Sequence, residues 1–235
     1  MDLTSATTLV TGANRGLGRH IAEQLRDRGA TVYAAARHPD TISAPGVRPI
    51  RIDVTDQATI DAAVAAIGPI SLLVNNAGSA TGAGLLTGDL ADVRTELDTH
   101  FFGSLAMIRA FAPGMADQPE SAILNVLSVL SWLSMPRIGG YCAAKSAAWS
   151  MTNAVRQELA PQGTVVTALH VGYMDTDMAR AVEGPKADPA DIARLALDAV
   201  AAGEYEVVAD DVSRYVRGQL SDGVTGLYPA LVPSA

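Results

Sequence analysis

Tyr141 and Lys145 have side-chain types and a spacing suited to proton transfer. They stand four residues apart in an alanine-rich segment, so on a helix both side chains project from one face. A free tyrosine has a pKa of about 10 and is a poor acid or base at neutral pH, whereas a neighbouring ammonium favours the phenolate and lowers that pKa. Ser128, at the end of a predicted strand, can donate a hydrogen bond to an oxygen beside this helix. Together the three residues predict acid–base chemistry at an oxygen atom.

Three glycines follow the first predicted strand, in the segment Thr-Gly-Ala-Asn-Arg-Gly-Leu-Gly at residues 11–18. Gly12, Gly16 and Gly18 have the spacing G-x-x-x-G-x-G, and glycines at a strand-to-helix turn let a pyrophosphate approach the bare backbone. The helix that follows supplies free N–H groups and the positive end of its dipole. Such a set can also be only a tight turn, but its place after the first strand of a βαβ chain favours a dinucleotide site.

The end of the second predicted strand should face the adenosine ribose of that dinucleotide. A carboxylate at this place binds a 2′-hydroxyl, whereas an arginine suits a 2′-phosphate. The strand is followed by Arg37, and no carboxylate appears until Asp40. Arg15, inside the glycine segment, can reach the same phosphate. Two guanidiniums and no acid favour NADP over NAD, and the alternative is that both arginines are solvated surface residues.

Short apolar runs alternate with helical patterns along the chain, which predicts βαβ units and a parallel sheet. Strands are predicted at residues 7–11, 31–36, 47–53, 70–75, 123–128, 165–170 and 206–209. Helices are predicted at residues 16–28, 56–66, 89–111, 141–159, 188–202 and 211–220, the third from an apolar stripe that recurs every three or four residues. We therefore expect one α/β domain over residues 1–235, a Rossmann-like doubly wound parallel sheet of about seven strands with helices on both faces.

Composition argues against several other classes of function. Of 235 residues, 49% are apolar and 18% are charged, which fits a folded globular protein. The net charge of −8 disfavours binding to nucleic acid or to an anionic membrane surface. The single cysteine, Cys142, permits no internal disulfide, and the four histidines lack metal-ligand spacing, so no metal is expected. The N-terminus does not resemble a signal peptide, and we expect a cytoplasmic protein.

These motifs, in this order, resemble the short-chain dehydrogenase/reductase family over nearly the whole chain. The glycine segment comes first, Asn-Asn-Ala-Gly at residues 75–78 follows the fourth predicted strand, and Ser128 precedes Tyr141 and Lys145 in the pattern Y-x-x-x-K. The resemblance implies an NADP(H)-dependent oxidoreductase that moves hydride between nicotinamide and a ketone, an aldehyde or a secondary alcohol. A carbonyl held by Ser128 and protonated by Tyr141 would accept the hydride, and the reverse path would oxidise an alcohol.

The resemblance also implies cofactor-binding roles. Lys145 would bind the nicotinamide ribose, residues 76–78 would line the cofactor at the centre of the sheet, and Asp53 would contact the adenine edge. The residues assigned to the cofactor are Gly12, Asn14, Arg15, Gly16, Leu17, Gly18, Arg37, Asp53, Val54, Asn76, Ala77, Gly78, Tyr141, Lys145, Gly172 and Thr176. Simpler alternatives are a surface lysine, a strand-end turn residue at Asp53 and ordinary turn-forming asparagines.

Two positions depart from the family pattern. His100 stands where the family usually carries an asparagine that holds a water in a proton relay to the lysine. Imidazole can also bind a water or pass a proton, but it is larger and can displace that water, so His100 is either a working relay residue or a weakened one. Val171 replaces the proline of the pattern P-G-x-x-x-T, while Gly172 and Thr176 remain. The resemblance implies that Thr176 would hold the nicotinamide carboxamide.

The substrate end of the chain is predicted to be apolar. Trp132, Leu133, Met135, Pro136 and Tyr173 indicate a pocket for small to medium hydrophobic carbonyl compounds; alternatively, Trp132 and Met135 pack in the core or at a subunit contact. Residues 178–185 are expected to form a lid with glycine and proline at one end. The small side chains of helix 141–159 let another helix approach closely, and the family resemblance implies that this helix and helix 89–111 pair with their copies in a homodimer or homotetramer. The alternative is ordinary packing within the chain. A dinucleotide-binding sensor or scaffold with little catalysis is the alternative function.

Overall fold

Seven parallel strands form one sheet in the computed structural model, which describes residues 1–231. The strands are β1 (Thr7–Thr11), β2 (Thr31–Ala36), β3 (Arg48–Arg51), β4 (Leu72–Asn75), β5 (Ser121–Val126), β6 (Thr164–His170) and β7 (Glu206–Val208). Their order across the sheet is β3-β2-β1-β4-β5-β6-β7, and every neighbouring pair is parallel. The strand number and the parallel pairing confirm the sheet predicted from the sequence.

Helices cover both faces of this sheet. They are α1 (Gly16–Asp27), α2 (Gln57–Ile67), α3 (Leu90–Leu97), α4 (Ser104–Met115), α5 (Gly139–Leu159), α6 (Pro189–Ala202), α7 (Asp211–Gln219) and α8 (Gly223–Leu227). Helices α1 and α6 pack over one face of the central strands, while α2, α4 and α5 pack over the other. The doubly wound architecture is therefore confirmed. No helix within residues 1–231 is long and apolar enough to span a membrane.

Neighbouring residues on the central strands point to opposite faces, which is why these strands are continuously apolar. On β1, Leu9 packs with α2, α4 and α5, while Val10 packs with α1 and α6. Leu73 and Val74 of β4 divide in the same way, and all four side chains are fully buried. A shift of one residue would exchange these faces, so the packing fixes the register and holds the strand ends in place.

The chain changes direction across the sheet between β1 and β4. From β1 it moves outward to β2 and β3, then returns to β4 and continues through β5, β6 and β7. The loops at the carboxyl ends of β1 and β4 therefore diverge and leave a crevice, the usual ligand site of open α/β sheets. The glycine segment and the Asn-Asn-Ala-Gly segment both lie at this crevice.

The long helix predicted at residues 89–111 is interrupted in the structure. Helices α3 and α4 are joined by a π-helical turn, Asp98–Gly103, whose backbone hydrogen bonds span one residue more than those of an α-helix. A Cβ on Gly103 would lie 2.7 Å from Val54 Cγ2, so this turn packs closely against the segment after β3. The prediction of one regular helix is wrong, because an apolar stripe does not record such a local widening.

Ser128, predicted at the end of the fifth strand, lies two residues beyond that strand in the structure. Strand β5 ends at Val126, and Ser128 is the N-cap of a short 3₁₀ turn, Val129–Ser131. The Leu130 N–H donates to the Ser128 hydroxyl oxygen at 3.1 Å, which fixes the side chain at the carboxyl end of the strand. The other strand and helix boundaries agree with the sequence prediction within a few residues.

Candidate active site

The N-terminus of α1 is open to an anion. Helix α1 begins after Arg15 without a side-chain hydrogen bond to its first N–H groups, and its first turn holds no acidic residue. Four other helices begin with an aspartate whose carboxylate accepts such a bond, namely Asp56, Asp89, Asp188 and Asp210. The free amides and the dipole of α1 therefore remain available to a phosphate, as the glycine motif predicts.

Thr11 and Asn76 hold the glycine loop in shape. The Thr11 hydroxyl oxygen accepts the backbone N–H bonds of Asn76 and Ala77, at 2.9 and 3.0 Å. The Asn76 side-chain amide donates to the carbonyl oxygens of Thr11 and Gly12, at 2.9 and 3.1 Å. A Cβ on Gly18 would overlap that amide, so only glycine permits this approach. The Asn76 side chain supports the loop, and Thr11 is a positioning residue that the sequence prediction omitted.

The other predicted cofactor-binding residues of the glycine loop and the strand ends differ in how far their side chains are buried. Leu17 and Val54 pack in the core, so only their backbone atoms can face a ligand. Asn14 is half-buried within the loop. Ala77 and Gly78 follow β4, and a Cβ on Gly78 would lie 2.8 Å from Cε1 of the His100 ring. Glycine at residue 78 therefore lets the Asn-Asn-Ala-Gly segment pack against the π-helical turn.

The two arginines assigned to the 2′-phosphate have different neighbours in the structure. Arg37 follows β2 and is exposed. Burial raises the pKa of Asp53, but hydrogen bonds from the following turn and the Arg37 guanidinium outweigh it and hold that pKa below its usual range. Arg37 and Asp53 are therefore neighbours at the adenosine end. Arg15 instead forms an exposed ion pair with Asp177 at 3.3 Å, between the glycine loop and the segment after β6.

Ser128, Tyr141 and Lys145 meet at the carboxyl end of β5. Tyr141 and Lys145 lie on the first two turns of α5, and the Lys145 ammonium is 5.6 Å from the centre of the Tyr141 ring. Lys145 Nζ donates to the Val126 carbonyl oxygen at 2.9 Å. The Ser128 side chain lies close enough to the Tyr141 hydroxyl to lower its pKa. Two hydroxyl groups and one ammonium therefore share a single corner of the crevice.

Burial dominates the electrostatics of this corner. Burial raises the pKa of Tyr141 above its usual range, and the nearby Ser128 side chain opposes that rise only in part. Burial also lowers the pKa of Lys145 to about 8, against the attraction of Glu96. The expectation that the ammonium and oxidised nicotinamide lower the Tyr141 pKa does not describe the protein alone, because burial gives a net rise there. The Tyr141 hydroxyl is held in its protonated form, which is the form that can donate a proton.

His100 lies in the π-helical turn with its ring beside Tyr141. The two ring centres are 5.1 Å apart and the planes meet at 85°. Nε2 of His100 lies 3.0 Å from the Ser79 carbonyl oxygen and 3.3 Å from a carboxylate oxygen of Glu96. His100 and Lys145 also line one cavity of about 10 Å³, which is room for a single water. Glu96 and Ser79 were not predicted as site residues.

The loop after β6 is held from two sides. Val171, at the position of the family proline, is buried, and its carbonyl oxygen accepts a backbone hydrogen bond at 3.0 Å. The Gly172 N–H donates to the Asp210 carboxylate at 2.5 Å. A Cβ on Gly16 would lie 3.4 Å from the Thr176 methyl carbon, so Thr176 sits over the glycine loop. Asp210, which the sequence prediction omitted, supplies a restraint where the proline is missing.

Trp132 does not line the predicted apolar pocket. Its ring stacks on His170 with centres 3.8 Å apart and is only 7% exposed, so it belongs to the core. Other apolar side chains are exposed on the loops after β4, β5 and β6, namely Leu85, Leu86, Met135, Tyr173 and Met178, and Leu90 is exposed at the start of α3. A Cβ on Gly139 would lie 2.8 Å from Leu85 Cγ, so the first two of these loops touch. Tyr173 is close enough to Tyr141 to raise its pKa.

A backbone bridge joins the two chain segments that flank the predicted lid, residues 178–185. Met174 and Ala187 form a parallel bridge, in which the Asp175 N–H donates to the Ala187 carbonyl oxygen at 3.0 Å. Between these ends Ala179 is buried, while residues 183–185 are exposed. Closure of this segment over a substrate stays a prediction.

Likeness to known proteins settles the family. The sequence profile described as short chain dehydrogenase matches residues 6–186. The chain belongs to the short-chain dehydrogenase family. The resemblance drawn from its motifs is confirmed, and the protein is an oxidoreductase of that family.

Several members of this family match over the whole chain. The 3-oxoacyl-[acyl-carrier-protein] reductase FabG of Staphylococcus aureus strain Mu50 is 30% identical over 246 residues, 97% of this chain and 100% of that protein. The crystal structure of a short chain dehydrogenase from Burkholderia cenocepacia J2315 in complex with NADP has 34% identity, full coverage of both chains and a TM-score of 0.93. A short chain dehydrogenase/reductase from Burkholderia phymatum in complex with NAD has 25% identity, full coverage and a TM-score of 0.85. Both nicotinamide cofactors thus occur on this fold.

Proposed function

We propose that the chain is an NADPH-dependent reductase of small to medium hydrophobic ketones or aldehydes that also oxidises the corresponding secondary alcohols. The observation that carries the proposal is the meeting of three side chains at one corner of the crevice, with Ser128 beside the Tyr141 hydroxyl and the Lys145 ammonium 5.6 Å from the tyrosine ring centre. Bound NADPH supplies the hydride. The protein supplies two hydroxyl groups directed at one oxygen and a positive charge beside them.

Each of the three residues has a separate task in this proposal. The Ser128 hydroxyl oxygen accepts the Leu130 N–H bond, which leaves its own hydrogen free to donate to a substrate carbonyl. Tyr141, held protonated, transfers its proton to that oxygen as negative charge develops on it. Lys145, fixed by the Val126 carbonyl, stabilises the phenolate that remains.

His100 is assigned to the return of a proton to Tyr141. It lines the same small cavity as Lys145, and a water there can join the two side chains through hydrogen bonds. An imidazole accepts a proton at one nitrogen and releases one from the other. Histidine at this position is therefore compatible with a working relay.

The preference for NADP rests on Arg37. Its guanidinium is exposed at the end of β2, and the first carboxylate that follows it along the chain is Asp40. A guanidinium binds a phosphate through paired, charge-assisted hydrogen bonds. The glycine loop and the uncapped start of α1 fit the pyrophosphate of the same cofactor. The NADP complex of the Burkholderia cenocepacia relative supports this choice.

The substrate class rests on the exposed apolar side chains around Tyr141. Leu85, Met135, Tyr173 and Met178 are each at least 40% exposed on loops at this end of the sheet. Removing such apolar surface from water favours a hydrophobic substrate. A 3-oxoacyl thioester, the kind of compound named for the Staphylococcus aureus relative, is a ketone attached to an apolar chain and falls within this class.

The test is the loss of NADPH absorbance with a panel of hydrophobic ketones, aldehydes and 3-oxoacyl thioesters. Tyr141→Phe should lower kcat about 100-fold or more. Tyr215→Phe, at a side chain on α7 that is 67% exposed, is the matched control and should retain full activity. Wild-type protein that binds NADPH but turns over no member of the panel contradicts a reductase and favours the sensor or scaffold.

We also propose that the protein forms a homodimer or homotetramer through α4 and α5. Helix α5 exposes Ala143, and the π-helical turn before α4 carries Phe102 with 56% of its surface exposed. Small side chains let helices approach closely, and an exposed phenyl ring gains from burial. Light scattering of the eluted protein should give a dimer or tetramer mass, and a monomer mass contradicts this proposal.

A further inference from the structure

Glu96 is a carboxylate removed from solvent within the proposed active site. It lies on α3, four residues before His100, and is 0% exposed. Glutamate is almost never fully buried unless it is paired, because an unpaired charge loses its hydration. The proposed reaction gives Glu96 no task, so its burial needs a physical explanation.

Three hydrogen-bonding groups surround the Glu96 carboxylate. One oxygen accepts the Ser79 hydroxyl bond at 2.6 Å and lies 3.3 Å from Nε2 of His100. The other oxygen accepts the Thr81 N–H bond at 2.5 Å. Burial raises the pKa of Glu96, but these hydrogen bonds outweigh it and lower the pKa to about 2. Glu96 is therefore an anion at neutral pH.

His100 is kept neutral beside this anion. Burial lowers the pKa of His100, and the Lys145 ammonium from α5 lowers it further, against the opposing effect of Glu96 from α3 and of Ser79. The Tyr141 ring, also from α5, covers a further side of the imidazole. A neutral imidazole carries one hydrogen, on either Nε2 or Nδ1.

The surroundings of Nε2 decide which nitrogen carries that hydrogen. Nε2 faces two acceptors, the Ser79 carbonyl oxygen at 3.0 Å and the Glu96 carboxylate at 3.3 Å. One donor, the Ser79 N–H at 3.3 Å, lies on the same side. A hydrogen on Nε2 satisfies both oxygens, and a single neutral donor does not outweigh a buried carboxylate.

We propose that Glu96 is a positioning residue that fixes His100 in the Nε2–H tautomer and, through Ser79 and Thr81, anchors the loop after β4. Nδ1 is then the one imidazole nitrogen with a free lone pair. His100 has its accepting and donating atoms in fixed places, which is what passing a proton requires. The kinetic consequence rests on the proposed reductase function, whereas the tautomer itself does not.

The tautomer is tested by long-range proton–nitrogen NMR correlations of protein labelled at histidine, with the His100 signals assigned by their loss in His100→Asn. Wild-type protein should show the Nε2–H pattern. Glu96→Gln keeps the shape of the side chain, and its amide oxygen can still accept the Thr81 N–H bond. Its NH₂ group then faces Nε2, which drives His100 to the Nδ1–H tautomer. Glu158→Gln, at an exposed site on α5, is the matched control and should leave the spectrum unchanged.

This experiment can overturn the proposal without any turnover. Wild-type protein in the Nδ1–H form refutes it, even if Glu96→Gln does not fold. A Glu96→Gln protein that folds and keeps the Nε2–H pattern refutes it as well. Neither result bears on whether the chain is a reductase, which the ketone panel decides.

The kinetic test compares Glu96→Gln in two backgrounds. In the wild-type background it should lower kcat about tenfold with little change in the KM for NADPH. In the His100→Asn background it should change kcat less than twofold, because an asparagine amide has no tautomer to fix. Equal losses in both backgrounds show that Glu96 only supports the loop, and they overturn the proposed action through His100.

Discussion

Replacing Asp210 with alanine should loosen both the start of α7 and the loop after β6. The Asp210 carboxylate accepts the Ser213 N–H bond at 2.7 Å and the Gly172 N–H bond at 2.5 Å. The first is a helix N-cap, worth about 1 kcal/mol. The second is a bond from a backbone amide to a charged group, worth about 1.5–3 kcal/mol. We therefore expect Asp210→Ala to lower the free energy of unfolding by about 2.5–4 kcal/mol.

Asp188→Ala is the matched control for this substitution. The Asp188 carboxylate caps α6 through the Ala190 N–H at 2.8 Å, so its loss should cost about 1 kcal/mol. Because Gly172 belongs to the loop that carries Thr176 over the glycine turn, Asp210→Ala should also weaken NADPH binding. Asp188→Ala should leave that binding unchanged.

Two measurements separate the effects. Urea unfolding followed by circular dichroism gives the free energy of unfolding, and a fluorescence titration of NADPH gives the dissociation constant. If Asp210→Ala and Asp188→Ala lose the same stability and bind NADPH equally well, Asp210 is an ordinary helix cap. The hydrogen bond from Gly172 to Asp210 would then add nothing to the free energy of unfolding.

Three further predictions concern charge. In fluorescence titrations, Arg37→Ala should weaken NADPH binding roughly tenfold or more and NADH binding less than twofold. The control is Arg19→Ala, at a residue that pairs with Glu23 on α1 at 2.8 Å, and it should affect neither cofactor. Equal weakening of both cofactors by Arg37→Ala would rule out a phosphate contact. The Lys145 ammonium is the active form and its pKa is about 8, so kcat/KM for ketone reduction should fall as pH rises through about 8. An active Lys145→Arg protein should not show this fall, because a guanidinium stays charged, and a fall at the same pH in both proteins would assign it to another group. Folding lowers the pKa of Glu96 from 4.5 to about 2, so the contribution of Glu96 to stability is complete above pH 4.5 and is lost as the pH falls towards 2. In urea titrations, Glu96→Gln should therefore flatten the dependence of stability on pH between these values. An unchanged slope would show that Glu96 is not ionised in this window.

The sheet and the cofactor crevice could be predicted because they depend on local pattern. Apolar runs and helical stripes alternate in a fixed order, and a parallel sheet is the arrangement that buries such strands on both faces. The four-residue step from Tyr141 to Lys145 places both on one helix face, whatever the rest of the chain does. The position of Ser128 followed from the end of a strand, although the strand itself stops two residues earlier.

The residues that hold the site in place could not be predicted, because their contacts join distant segments. Asp210 and Gly172 are 38 residues apart, and an aspartate before a helix indicates an ordinary cap. Glu96 is a charged residue on a helix, a type that is exposed in most proteins, and only the fold shows that it is enclosed. The prediction that Trp132 lines the substrate pocket was wrong for the same reason, since an apolar residue near Ser128 can either line a pocket or pack beneath it.

The geometry of the site depends on the number of residues in the π-helical turn, Asp98–Gly103. The turn holds one residue more than a regular helical turn, so removing Thr99 would restore α geometry and shorten the step from Glu96 to His100 from four residues to three, which moves the imidazole to another face of the helix. Glu96 and His100 would then lose their facing positions, although neither had been mutated. A one-residue deletion here should therefore be more damaging than most single substitutions in the same turn.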